Sequence, residues 1–257
     1  MEYKYIDFWS EAGIGFIALD QPAHLNALSF EMLAELVEVA AEISKSDLRS
    51  VVLTGNGSSF SAGFDVRSLQ QELTDEPDPA RRYEKAQLGG LMADAIENLP
   101  QITVAALHGH VVGGGVILAA ACDLRVADSD TVFSIPELDL GIPVAWGGVE
   151  RLVRELGPTL AKELILTCRP FTAREARDAR FLNAITEPGG AMEIAKELAV
   201  HIAERPRLPV ITTKRHVAEV LTGDMSRDDA MGLLTALDDP ESTATRTAYS
   251  TRFLDQP

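Results

Sequence analysis

Hydrophobic and polar positions change their period several times along the chain. Near the start they alternate: Tyr3 and Tyr5, then Phe16-Ile-Ala-Leu19, with the turn residues Glu11-Ala-Gly13 between them, predict a hairpin of two strands. From Ser29 the period lengthens to that of a helix. Leu33, Leu36, Val37, Ala40 and Ile43 share one side, and the Ser29 hydroxyl stands where an N-cap belongs. Val51-Val-Leu-Thr54 then reads as a buried strand stopped by Gly55-Asn-Gly57.

The same unit recurs. A polar loop, Thr74 to Pro79, leads into a helical stretch that ends near Leu99-Pro100, and Thr103-Val-Ala-Ala-Leu107 follows as an apolar strand. A helix over Gly115 to Cys122 precedes the short strands Leu124–Val126 and Thr131–Phe133, so the architecture is predicted to be alternating α/β. From Ala191 onward the strand signal ends. Helical segments near 191–204, 210–221, 227–237 and 241–254 predict a helical C-terminal region, with no repeat or low-complexity tract marking an independent second domain.

Composition changes the picture mainly by exclusion. Apolar residues make up 46% of 257 positions and charged residues 24%, enough for one large domain or a domain with an appendage to bury its own core. With 39 acidic against 23 basic residues the net charge is -16, which disfavours nucleic acid and anionic membrane surfaces as partners. The longest apolar run, Val111 to Cys122, contains three glycines and falls short of the roughly 20 residues a membrane span needs. Met1 to Asp7 lacks the pattern of a secretion signal, and Cys122 and Cys168 form no disulfide framework, which predicts a reduced, cytoplasmic protein.

Most familiar chemistry drops out in the same way. Gly13-Ile-Gly15-Phe-Ile-Ala18 has the glycine spacing of a dinucleotide site, but it lies in the hairpin and opens no helix. No glycine-rich loop runs into Lys-Ser or Lys-Thr, and no histidine pair has the spacing of a helical zinc site, so no metal is expected. His108 and His110 read as polar residues leaving a strand, and Cys122 as core. Two glycine loops remain: Ser59-Phe-Ser-Ala-Gly-Phe-Asp65, and His108 to Gly115 at the head of a helix. Either alone is a tight turn. Together they could expose backbone N–H groups to a developing oxyanion.

The two loops, followed by Phe133-Ser-Ile-Pro-Glu-Leu-Asp-Leu-Gly-Ile-Pro143 and Trp146-Gly-Gly-Val-Glu-Arg-Leu152, resemble the crotonase superfamily, the enoyl-CoA hydratase/isomerase family. Leu25-Asn-Ala-Leu28, the Cys122-Asp123 pair and Leu156-Gly157 fall in the same order, so the likeness runs over essentially the whole chain. It implies a right-handed spiral of ββα repeats over residues 1–190 and a helical trimerisation region over 191–257, assembled as a homotrimer or a dimer of trimers. The ligand it implies is an acyl-CoA thioester, with coenzyme A entering as part of the substrate and no tightly bound cofactor. By motif position the enolate oxygen would be held by the N–H groups of Ala62 and Gly114.

Hydratases of that family carry two glutamates. Here Glu137 fills the Pro-Glu position, but Ile117 fills the other, and an apolar side chain can neither hold water nor transfer a proton. One base suffices to move a double bond, so the resemblance favours isomerisation of a 3-enoyl thioester to the 2-enoyl form with Glu137 as the base. The alternatives are a hydratase with an atypical second acid, Asp139 or Glu150, and an acyl-CoA binder without catalysis. Glu137 also reads as a surface carboxylate after a strand, and Asp139 as a loop cap. Ile117 and Trp146 are expected in the wall of the acyl pocket, with core packing the other reading of Trp146. Family dehalogenases carry a nucleophilic aspartate where this chain has Ala145. Coenzyme contacts are expected at Ala23, Leu25, Ala62, Asp65 and Val66, with Arg252 standing in for a C-terminal lysine.

Overall fold

The computed structural model describes residues 3–223 and 228–254. Strands β1 (Ile6–Glu11) and β2 (Ile14–Leu19) pair antiparallel, from Ile6 opposite Leu19 to Glu11 opposite Ile14. Ala12 and Gly13 turn the corner at φ 50° and 79°, the left-handed pair that a two-residue hairpin turn requires. Helix α1 (Phe30–Ser44) begins at Ser29, whose Oγ accepts the Met32 N–H, and buries Leu33, Leu36 and Ile43 on the way to β3 (Ser50–Gly55). A single helical turn α2 (Val66–Ser68) and a π-helical stretch, Leu69–Thr74, precede α3 (Pro79–Glu97), which is capped by Asp78 and feeds β4 (Ile102–Leu107).

The third turn of the chain is tighter: β5 (His110–Val112), α4 (Gly114–Ala120), β6 (Leu124–Asp128) and β7 (Val132–Ser134). Then come α5 (Gly148–Leu156), α6 (Pro158–Thr167), β8 (Phe171–Thr172), α7 (Ala173–Asp178) and β9 (Ala184–Thr186). Four helices finish the described chain: α8 (Ala191–Ala203), α9 (Arg207–Thr222), α10 (Asp229–Asp238) and α11 (Pro240–Leu254).

The main sheet has the order β1-β2-β3-β4-β6-β9, and every pair after the first is parallel. Parallel neighbours need a crossover, and each crossover here visits a second layer before its helix. In that layer β5 pairs with β7, while Ser61, after β3, pairs with Val111 in β5, so successive turns of chain stack as a spiral. The segment 110–112 was read from the sequence as loop. Three residues are too few to carry an alternating signal, and only pairing with β7 makes them a strand.

One face of the sheet is covered by the large side chains of α1, α3 and α4. The other face is covered by α8, which lays Ala191, Ala195 and Ala199 on Phe16, Val52, Val104 and Val126. Alanines let this helix approach closely, and the Ser50 hydroxyl reaches the Ala199 carbonyl at 2.9 Å. The helix at the head of the C-terminal region is thus packed on the sheet. Among the described residues, α9 and α10 bury none of their side chains. Polar contacts hold this region: the Lys214 Nζ of α9 sits 2.7 Å from an Asp123 carboxylate oxygen, Arg49 bridges the Arg205 carbonyl ahead of α9 and Glu241 in α11, and Arg246 of α11 donates to the Ala236 and Leu237 carbonyls of α10.

Candidate active site

The loop after β3 is held by backbone pairing on both sides. Phe60 and Ser61 donate their N–H groups to the carbonyls of His108 and His110, and Val112 donates back to Ser61. Gly63, at φ 87°, passes so close to β5 that a Cβ there would lie 2.6 Å from the Val112 carbonyl oxygen. On the opposite edge Leu28 donates to the Gly63 carbonyl at 2.8 Å and accepts from the Asp65 N–H at 3.0 Å.

This pairing decides which amides are free. Ala62, expected from the sequence to be an oxyanion donor, gives its N–H to the Leu25 carbonyl at 2.8 Å and has nothing left to offer. Gly63 donates to the Ser61 hydroxyl. Phe64 is the exception: its bridge with Leu28 uses the groups of the residues on either side, so its own N–H points away from Leu28 and finds no acceptor among the described residues. Donor and motif position therefore differ by two residues. Gly114 offers the second free amide, because it is the first residue of α4 and precedes any intrahelical acceptor.

Both residues border one cleft of about 230 Å³, together with Gly113, Glu137, Val66, Leu140 and Ile142. Glu137 follows Pro136 into a compact turn in which Leu140 and Ile142 both donate to its carbonyl. Its Oε1 lies beside Gly113, where a Cβ would be only 2.8 Å away, and its buried Oε2 has no hydrogen-bond partner among the described residues. Burial pushes the carboxyl above the ordinary glutamate range, opposed only by the residue's own backbone N–H. A half-buried carboxyl that is raised and unpaired is equipped to take a proton.

Neither Ile117 nor Trp146 borders this cleft, contrary to the expectation that they line the acyl pocket. Ile117 is 1% exposed, and its Cδ1 packs beneath Gly148 in the core. Trp146 stands behind the wall, its ring edge-on to Phe64 with centroids 5.4 Å apart. Asp139 does border the cleft, at its exposed rim, whereas Glu150 lies in the first turn of α5, facing solvent.

Asp65, Arg67 and Ser68 border a second, polar hollow of about 320 Å³, where they meet Gln21 and His24. The Asp65 carboxylate is committed to α2, accepting from the Arg67 N–H and the Ser68 hydroxyl. Leu25, at φ 50°, and Val66 are exposed beside it, and Ala23 sits in the exposed turn Pro22–His24. The Arg252 side chain lies outside the described residues. Sequence reasoning missed the Phe64 amide and the placing of His24 and Arg67. No local signal marks that amide, since only the pairing with Leu25 and Leu28 leaves it free. Among the described residues no three His, Cys, Asp or Glu side chains converge as metal ligands, and no helix is long and apolar enough to cross a membrane.

Known proteins share this layout. An enoyl-CoA hydratase/isomerase family protein from Hyphomonas neptunium superposes with a TM-score of 0.90 at 29% identity, covering 97% of this chain and 95% of its own. A short-chain-enoyl-CoA hydratase of Clostridium acetobutylicum is 34% identical over 219 residues, 84% of this chain and 82% of that protein. Crotonyl-CoA hydratase of Syntrophomonas wolfei is 31% identical over 252 residues, 95% of each chain. A mitochondrial Delta(3,5)-Delta(2,4)-dienoyl-CoA isomerase of Mus musculus is 32% identical over 230 residues, 84% of this chain and 68% of that protein. Fold and likeness together define an α/β enzyme of the crotonase superfamily, acting on acyl-CoA. The model of the enoyl-CoA hydratase/isomerase family matches residues 10–251, and the chain belongs to that family.

Proposed function

We propose that the protein moves a double bond, converting a 3-enoyl-CoA into the conjugated 2-enoyl-CoA. The observation that carries this reading is a single raised, unpartnered carboxyl, Glu137, in a cleft with two free amides, while position 117 is core. The Glu137 carboxylate removes a proton from C2 of the thioester. The electron pair moves onto the thioester oxygen, where the N–H groups of Phe64 and Gly114 hold the negative charge. The enolate then collapses, the double bond forms between C2 and C3, and Glu137 returns the proton to C4. An oxyanion donor of this kind supports a barrier reduction of roughly 2.7–4 kcal/mol.

The acyl chain runs along Val66, Leu69, Leu140 and Ile142, and the coenzyme lies along exposed Ala23, Leu25 and Val66 and half-buried Ala62. His24 and Arg67 are the basic groups at the polar hollow and meet its phosphates. No other cofactor takes part. Exposed Met231, Leu233 and Leu234 of α10 are covered by further copies of the chain in a homotrimer or dimer of trimers, which the solution mass checks.

Adding short 3-enoyl-CoA should raise the ultraviolet band of the conjugated 2-enoyl thioester, while crotonyl-CoA should leave it unchanged. A falling band with crotonyl-CoA would overturn isomerisation in favour of hydration. Asp139 supports that second reading, because it borders the cleft beside Glu137 and could serve as the other acid. Hydration lost in Asp139→Asn would identify it.

A further inference from the structure

Helix α3 carries Gly89-Gly90 in its interior, where glycine is the poorest helix former after proline. The first of the pair has a clear reason to be glycine. The pyrrole side of the Trp146 indole lies directly on Gly89, so that a Cβ there would overlap the ring, whereas a Cβ at Gly90 would meet only the Trp146 Cα at 3.8 Å. The benzo side of the same indole lies on Gly114, where a Cβ would again overlap it. One flat ring thus fills the gap between α3 and α4, seated on a glycine at each edge.

The ring is held from its own backbone as well. Trp146 adopts φ 60°, and its carbonyl accepts from the buried Arg151 guanidinium at 2.9 Å, which also reaches Asp94 on α3 at 2.7 Å. The indole also meets Phe64 edge-on, at 86° between planes, and the Phe64 ring in turn packs edge-on against Phe30 with centroids 5.1 Å apart. Trp146 therefore touches both residues whose amides are free, and those residues sit on different elements.

We propose that Trp146 is a positioning residue that sets the spacing between the Phe64 and Gly114 N–H groups. The inference rests on the reading of those amides as an oxyanion hole. A rigid indole suits the task because it spans two elements with little rotamer freedom, and because donors aimed at one oxygen must be held to within roughly 0.5 Å. Gly89 serves the same end at one remove by giving the ring its seat.

The test uses Trp146→Leu, Trp146→Phe, Gly89→Ala and Gly90→Ala, with two readouts: turnover of 3-enoyl-CoA, and the red shift of bound cinnamoyl-CoA, whose absorbance reports polarisation of the thioester carbonyl. Trp146→Leu should lower kcat by about 100-fold, the cost of a misplaced group at roughly 1 Å, with KM little changed and the red shift diminished. Trp146→Phe should recover part of both. Gly89→Ala should lower kcat and the red shift together, and Gly90→Ala should leave them unchanged. A folded Trp146→Leu with wild-type kcat and red shift would overturn the proposal. If that variant does not fold, equal behaviour of the two glycine variants overturns it instead. Wild-type protein that binds cinnamoyl-CoA with no red shift would overturn the oxyanion hole itself, and Trp146's role with it.

Discussion

Helix α4 and the loop from Pro136 to Ile142 both border the cleft, and they are built in opposite ways. Every residue of α4 is buried, and what it offers the cleft is main chain, the Gly114 N–H. The loop is largely exposed, with Leu138 and Leu140 more than 40% accessible, and what it offers is a side chain, the Glu137 carboxyl. The part suited to holding an anion is built into the fold, while the part suited to moving a proton is an exchangeable residue on a rim. Position 117, on the rigid side, is filled by an isoleucine packed under Gly148, and position 137 carries the carboxylate.

The largest effect should come from the exchangeable side. Glu137→Gln is expected to lower turnover by about 10⁴-fold while acyl-CoA binding measured by calorimetry persists, and full turnover would break the comparison. Ile117→Glu tests the rigid side. It would bury an unpaired charge and should cost about 3 kcal/mol in chemical denaturation without conferring hydration, and a stable variant that hydrates crotonyl-CoA would show that the two walls are alike.

A smaller effect belongs to pH. A base must be ionised to act, so kcat/KM should fall about tenfold per pH unit below an apparent pKa that lies above the ordinary glutamate range. A bell centred at lower pH would count against Glu137. The smallest effect is on stability. A carboxyl whose pKa is raised by folding contributes stability below its unfolded-chain pKa and loses it as pH rises through the folded value. At neutral pH Glu137→Gln should therefore unfold at slightly higher denaturant than wild type, and the gain should disappear in acid.

The helix-strand alternation, the hairpin and the Ser29 cap were all legible in the sequence because each is set by residues close together along the chain. The Pro-Glu motif placed Glu137 for the same reason, although the burial that raises its carboxyl comes from elements far from it. The donor after β3 was not legible. Ala62 and Phe64 are equivalent as letters in a glycine loop, and only the carbonyl of Leu25, 37 positions earlier, decides that Ala62 is spent. Ile117 was expected in the pocket because it stands where hydratases of the family carry their other glutamate, yet it is 1% exposed and its Cδ1 packs under Gly148, a contact made 31 positions later in the chain. Nothing near Gly89 along the chain calls for a glycine there, and the reason lies in the indole of Trp146, 57 positions later.

The free amide of Phe64 has an odd standing with respect to inheritance. Any residue but proline at position 64 keeps an N–H there, so a change of codon alters the ring and spares the donor. An alanine scan would report on the side chain alone and pass over the hydrogen that faces the cleft. Only an edit to the main chain itself, an ester in place of the 63–64 peptide bond, would remove that hydrogen. Descendants of this chain are free to rewrite the surrounding side chains while carrying the donor along unseen, for as long as Leu28 keeps its pairing with the neighbouring residues.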